Sequence, residues 1–100
     1  MKTVKTTPQF TAWMQGLKDR QAVARIRIRI DRLALGNPGQ TRNLKGGVAE
    51  MKIDFGPGYR VYFTERGGEL VILLCGGTKK GQNDDIALAI QLAAEIQTGA

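Results

Sequence analysis

Lys52, Arg60, Tyr62, Lys79 and Lys80 are the residues of this chain whose types and spacing could do chemistry. In AEMKIDF and YRVYF apolar and polar residues alternate, the pattern of strands with one buried face. If the Gly56-Pro57-Gly58 loop pairs Phe55 with Tyr59, then Asp54 faces Arg60 and Lys52 faces Tyr62. All four then leave the sheet on one side, while Met51, Ile53, Val61 and Phe63 point to the other and pack on helices. A two-residue turn at Gly67-Gly68 brings Arg60 near Cys75. From there the chain leaves through Gly76-Gly77 into Lys79 and Lys80, so four cations and a phenol converge on one end of the sheet. Such a face suits a phosphodiester, because arginine and lysine neutralise phosphate and stabilise the charge that builds in phosphoryl transfer. It also reads as a solvated sheet face on which Asp54–Arg60 is a cross-strand ion pair.

Other chemistries are excluded by what the chain lacks. It has no histidine and one cysteine, so neither a Ser-His-Asp triad nor a zinc site of histidines or clustered cysteines is possible. Any general base must be Lys, Tyr, Asp, Glu or water. GGTKKG matches neither glycine-rich nucleotide-binding pattern, and Asp84 and Asp85 would repel an anion from the helix start that follows it. Cys75, at the end of LVILLC, reads as a core thiol. No metal and no cofactor is expected.

The charge points the same way as the candidate face. Fifteen Lys and Arg against nine Asp and Glu give a net +6 over 100 residues. From Gln82 onward there is no basic residue, so the positive charge belongs to the earlier part of the chain. Basic residues can merely solvate a surface, but this uneven distribution favours an anionic partner, with nucleic acid the usual one. No apolar run approaches a membrane span, the N-terminus lacks a signal-peptide apolar region, and a lone cysteine forms no internal disulfide. These features predict a cytoplasmic protein with one domain over residues 1–100.

The elements that must position these residues can be read in order. Lys2 to Thr6 is a short strand. TPQFTAWMQGL is a helix with Thr7 as N-cap and Pro8 at its first position, and Phe10, Trp13 and Leu17 form its apolar stripe. ARIRIRI, residues 24–30, alternates like a strand, yet about sixteen residues separate the capping Asp19 from the Gly36 stop, too many for an ordinary strand. As a helix, Val23, Ile26, Ile30 and Leu33 form a buried stripe. Arg25, Arg29 and Arg32 then form an outward basic ridge, and Ile28 with Leu35 a second apolar patch for a neighbour or a partner. TRNLKGG reads as a loop that adds Arg42 and Lys45 to the basic set expected to touch nucleic acid. Val48–Phe55, Tyr59–Thr64 and Leu70–Cys75 are antiparallel strands, the last apolar throughout and so covered on both faces. Asn83 then caps a C-terminal helix with Ile86, Ile90 and Ala93 facing inward. The class is α+β: two N-terminal helices on a curved antiparallel sheet, with a C-terminal helix.

The runs GVAEMKIDFGPGYRVYF and LVILLCGGTKKGQNDDIALA, with ARIRIRIDRLALGNPGQTRNLKGGVAE before them, resemble the RelE/ParE superfamily of bacterial toxins. They are most similar to its HigB-like, phage-derived group of addiction-module killer proteins. The resemblance covers nearly the whole chain. It implies a type II toxin–antitoxin pair with a small helix-turn-helix antitoxin, and inhibition of translation by cleavage of mRNA in the ribosomal A site. In that reaction the 2′-hydroxyl attacks the adjacent phosphate with help from basic side chains. By position, Lys52 and Arg60 match the cationic residues of the concave face, and Lys79 or Lys80 the basic position after the last central strand. The sequence departs from the pattern in two places. The second lysine of the RelE-type strand falls on Asp54 or Ile53, and LAIQLAAEIQTGA has no C-terminal tyrosine or histidine. Acid–base work then falls to Tyr62, a lysine, Asp54 or the ribosome. The alternatives are a ParE-like inhibitor of DNA gyrase, which needs no acid–base pair, and a degenerate toxin that survives as a binding module.

Overall fold

In the computed structural model, residues 1–97 are described. They form a central five-stranded sheet with helices on both faces. The strands are β1 (Thr3–Thr6), β2 (Thr41–Asn43), β3 (Val48–Ile53), β4 (Tyr59–Arg66) and β5 (Leu70–Thr78), in the spatial order β1-β5-β4-β3-β2. Helices α1 (Pro8–Gly16) and α2 (Arg20–Ala34) cover one face, and α3 (Gln82–Gln97) the other. The α+β expectation holds, with one change to the sheet. β2 to β5 are antiparallel, but β1 runs parallel to β5, so the sheet is mixed. Parallel pairing needs a long crossover, here everything from α1 to β4, and a four-residue strand carries no mark of which neighbour it will join.

Capping explains the helices. Thr7 accepts the Phe10 N–H at 3.0 Å and also donates its hydroxyl to the Leu74 carbonyl at 2.5 Å, tying the start of α1 to β5. Asp19 accepts from Gln21 and Ala22 N–H at 3.0 and 3.2 Å, which starts α2. Gly36, at φ 85°, ends it. There the Asn37 N–H bonds to Arg32 O at 2.8 Å and the Gly36 N–H to Leu33 O at 3.0 Å, the paired bonds of a Schellman stop. ARIRIRI is therefore helical, with Ala22, Ile26 and Leu33 buried against the sheet. The C-terminal helix differs at its start: Gln82, not the expected Asn83, opens α3, directly after a 3₁₀ turn over Lys79–Gly81.

Two cores sandwich the sheet. Met51, Ile53, Val61, Phe63, Val71 and Leu73 meet Phe10, Ala22, Ile26 and Leu33 on the side of α1 and α2. Val48, Tyr62, Ile72, Leu74 and Cys75 meet Ala89, Leu92 and Ala93 of α3 on the other. β5 is thus covered on both faces, as its unbroken apolar run predicts. Cys75 is a core thiol; burial first, and the Asp85 carboxylate second, push its pKa up to about 12.

Trp13 sits against β5 at Gly76 and packs on the α1–α2 core, tilted against Phe10 and edge-on to Tyr59. A Cβ at Gly76 would run into the Trp13 ring. Gly76→Ala is expected to cost about 1–3 kcal/mol, the usual penalty for overpacking. Urea unfolding of the two proteins checks this, and an unchanged midpoint would contradict it.

Register is where the structure departs furthest from expectation. Across the first hairpin Ile53 pairs with Tyr59, Lys52 with Arg60 and Glu50 with Tyr62, two residues away from the expected Phe55–Tyr59 pairing. The connection is longer because Asp54 to Gly58 turn together, with Phe55 N–H on Ile53 O at 2.9 Å and Gly58 N–H on Phe55 O at 3.1 Å. A shift of two keeps every side chain on its expected face. It takes Asp54 out of the strand, so no Asp54–Arg60 cross-strand pair forms. Across the second hairpin Arg66 pairs with Leu70, a three-residue turn, and a bulge follows between Tyr62 and Phe63. Arg60 therefore lies opposite Gly77, not Cys75. TRNLKGG is not wholly a loop either, since Thr41–Asn43 pairs with β3 as an edge strand.

Candidate functional site

Alternation along the strands builds two adjacent rows on the α3 side of the sheet. Arg42 of β2, Glu50 of β3 and Tyr62 of β4 form one row; Lys52 of β3, Arg60 of β4 and Gly77 of β5 form the next. α3 crosses only part of this face. Where it stops, a cleft of about 360 Å³ opens, lined by Gln40, Thr41, Arg42, Glu50, Lys52, Arg60 and Gln82. Three cations and one carboxylate face it.

Glu50 organises the cleft and is 5% exposed. Arg42 Nε donates to its Oε1 at 2.9 Å, and Gln82 Nε2, from the first residue of α3, donates to Oε2 at 2.9 Å. Arg60 Nε stands 3.9 Å from the same Oε2. Burial alone would raise the Glu50 pKa; the bonds from Arg42 and Gln82 and the charges of Arg42 and Arg60 outweigh it and hold the carboxyl below its ordinary value. The same bond to Glu50, with its charge, raises Arg42. Glu50 is thus a fixed anion in the middle of a cationic site.

Arg60 is 5% exposed as well. Its Nη1 donates to Gly58 O at 2.7 Å, and its buried Nε has no hydrogen-bond partner. The guanidinium is held by its own hairpin on one side and by Glu50 on the other. Gly58, at φ 80°, lets the chain fold back over it; a Cβ there would stand 3.2 Å from Nη1 and 3.6 Å from the Lys79 Cβ. Lys79 therefore lies beside the Arg60 loop and adds charge at this end of the sheet. Lys80 is exposed in the same 3₁₀ turn, outside the cleft lining.

Tyr62 is not at the surface as expected. It is fully buried under α3, and its hydroxyl has no hydrogen-bond partner. Burial first, then the charges of Glu50 and Asp85, push its pKa well up. A phenol so placed neither reaches a substrate nor gives up a proton near neutrality. Four lining residues, Gln40, Thr41, Glu50 and Gln82, escaped the sequence reading, and two of them bear on the cations. Glu50 sits on the polar phase of the alternating strand and could have been weighed there; the register shift makes it, and not Asp54, the counter-ion. Gln82 could not be found without the packing of α3.

The basic ridge of α2 is on the other side of the sheet and is not uniform. Arg29 is not outward: Nη1 donates to Lys52 O at 2.8 Å and Nη2 to Pro38 O at 3.0 Å and Gln40 O at 3.3 Å. Burial, with the Arg32 charge, lowers its pKa. It pins α2 to the strand that carries Lys52. Arg25 lies over the Phe55 ring at 4.4 Å, and Arg32 is exposed. Lys45 is exposed in the turn before β3. Among the described residues no cluster of His, Cys, Asp and Glu could hold a metal ion, and no helix is long and apolar enough to cross a membrane.

Residues 12–96 match the family described as "Phage derived protein Gp49-like". A relative from Haemophilus influenzae (strain ATCC 51907 / DSM 11121 / KW20 / Rd), described as "Uncharacterized protein", is 47% identical over 93 residues, covering 93% of this chain and 94% of its own length.

Proposed function

Because this chain belongs to the Gp49-like family of phage-derived proteins, a RelE/HigB-like toxin-type family, we propose that it is the toxin of a type II toxin–antitoxin pair and cleaves mRNA on the ribosome. Within that family type the reading places it in the HigB-like group, as one toxin domain over residues 1–100 acting in the cytoplasm. Its partners are the ribosome with its mRNA and a helix-turn-helix antitoxin. The observation that carries the reading is the pairing of Lys52 with Arg60 in an open cleft, with Arg60 held by a buried carboxylate.

That arrangement supplies electrostatics and positioning. The RNA 2′-hydroxyl attacks the adjacent phosphorus, the bond to the 5′-oxygen breaks, and negative charge grows on the non-bridging oxygens. Lys52 and Arg60 meet that charge, and the Arg60 guanidinium is already held by Gly58 and Glu50 before the substrate arrives. Arg42 and Lys79 border the same site and extend its field along the RNA backbone, with Lys45 and Lys80 beyond. Glu50 is a weak base because its pKa is held low; its part is to fix Arg42 and Arg60. With no histidine in the chain, Tyr62 buried and Asp54 outside the cleft lining, proton transfer falls to a lysine or to the ribosome, which also orients the 2′-hydroxyl for in-line attack.

The burial of Tyr62 also favours a second reading, in which the protein inhibits DNA gyrase without cutting RNA. A reconstituted translation reaction with primer-extension mapping, run beside a gyrase supercoiling assay, separates the two. Discrete cuts in ribosome-bound mRNA with unimpaired supercoiling are expected. Intact mRNA with blocked supercoiling would give the protein to the second reading.

A further inference from the structure

Arg29 reaches from α2 to the end of the β2–β3 ladder. Beyond the Thr41–Met51 pair, one more backbone bond joins the two strands: Lys52 N–H to Gln40 O at 3.2 Å. In a ladder that went on, the Gln40 N–H would return a bond to the Lys52 carbonyl. That carbonyl accepts instead from Arg29 Nη1 at 2.8 Å. The other arm of the fork, Nη2, takes the Pro38 and Gln40 carbonyls at 3.0 and 3.3 Å. β2 cannot extend backward to do the same work, because Pro38 has no N–H and Gly39 turns the chain at φ 75°. Gly39 also makes room for the guanidinium: a Cβ there would stand 3.1 Å from Nη2. The two residues joined in this way, Gln40 and Lys52, both line the cleft.

We infer that Arg29 is a positioning residue for the reaction: it clips the Lys52 backbone to the segment that enters β2 and so sets where the Lys52 ammonium stands relative to Arg60. Lys52 pairs with Arg60 across β3 and β4, and β3 ends one residue later, at Ile53. Strand ends open readily, and a side chain that leaves from a moving backbone has no fixed place. With the clip, both the N–H and the C=O of Lys52 are tied on the β2 side. The role uses the shape of the guanidinium and not its charge. Three carbonyls on two segments need donors on two nitrogens held in one plane, which the single nitrogen of a lysine does not supply. The scale of the effect follows from the chemistry it serves. A group misplaced by about 1 Å costs on the order of 100-fold in rate.

Arg29 has this role only if the cleft cleaves RNA, so the test has one readout with RNA and one without. In single-turnover cleavage on purified ribosomes, Arg29→Met should lower the maximal rate about 10- to 100-fold. The half-saturating protein concentration should stay within about threefold, because Arg29 holds backbone and not RNA. Arg29→Lys should recover little of the rate. In a Lys52→Ala protein, Arg29→Met should slow cleavage little further, since the side chain it positions is gone. Gly39→Ala, which crowds Nη2 from the loop, should repeat the pattern and carries the test if Arg29→Met unfolds. Without RNA, hydrogen exchange at the Lys52 amide should quicken about tenfold or more in Arg29→Met, with the Val61 and Phe63 amides unchanged. Lost ribosome affinity at an unchanged maximal rate would overturn the inference, and so would full recovery by Arg29→Lys. Equal losses with and without the Lys52 side chain, or an unchanged Lys52 amide, would do the same. No cutting by the unaltered protein would refute the cleavage reading and the reaction role with it, while the exchange rates still decide whether Arg29 holds Lys52.

Discussion

Arg60→Ala is expected to slow cleavage of ribosome-bound mRNA by roughly 100- to 1,000-fold, the cost of removing one pre-oriented donor from a developing negative charge. The fold should survive, because Glu50 keeps Arg42 and Gln82 as partners at 2.9 Å each when Arg60 is gone. The stability loss should be about 1–3 kcal/mol, on the scale of one charged hydrogen bond and a small void. Arg60→Lys keeps the charge but neither the hydrogen bond to Gly58 nor the planar fork beside Glu50, so it should recover only a small part of the rate. Single-turnover cleavage on purified ribosomes reads the effect, with circular dichroism to show the fold. Full cleavage by a folded Arg60→Ala protein would remove this residue from the site.

Glu50→Ala should have the largest effect on stability. Glu50 and Arg60 are both 5% exposed, and removal of the carboxylate leaves the buried guanidinium without its counter-ion. Breaking a buried pair from one side costs about 3–5 kcal/mol, a large part of the roughly 5–15 kcal/mol that holds a domain together. Arg42 and Gln82 lose their acceptor as well, so the edge strand β2 and the start of α3 come loose together. The pH dependence has a definite sign. The Glu50 pKa is lowered in the folded protein, so its contribution is complete above the unfolded value of about 4.3 and is lost as pH falls through the folded value. Urea midpoints measured from neutrality down to about pH 3 should therefore fall in the unaltered protein. The same fall should be shallower in Glu50→Gln, which has no charge to lose. Parallel curves would show that Glu50 is not the group that couples folding to acid.

What the sequence could show of this site follows from period and range. Alternation assigned Lys52, Arg60 and Glu50 to one face, and a two-residue error in register left that assignment intact. The partners across the hairpin were another matter. The five-residue turn from Asp54 to Gly58 and the bulge beside Tyr62 decide them, and neither leaves a local signature. Helix ends were legible at Thr7, Asp19 and Gly36 because caps are local chemistry. The burial of Tyr62 was not, since it depends on where α3 lands, and α3 reads alike wherever it packs. The parallel pairing of β1 with β5 and the inward turn of Arg29 onto three carbonyls were hidden for the same reason: each is made by residues far apart in the chain.

The central claim is that the cationic cleft promotes attack by an RNA 2′-hydroxyl on its own phosphodiester. Two mRNAs that differ only in a 2′-deoxynucleotide on the 5′ side of the mapped cut test it most directly when placed on the same ribosomes with the purified protein. The all-ribose message should be cut at that position, and the deoxy message should stay intact there. Equal cutting of both, or equal survival of both while growth is arrested by the same protein, would contradict the account.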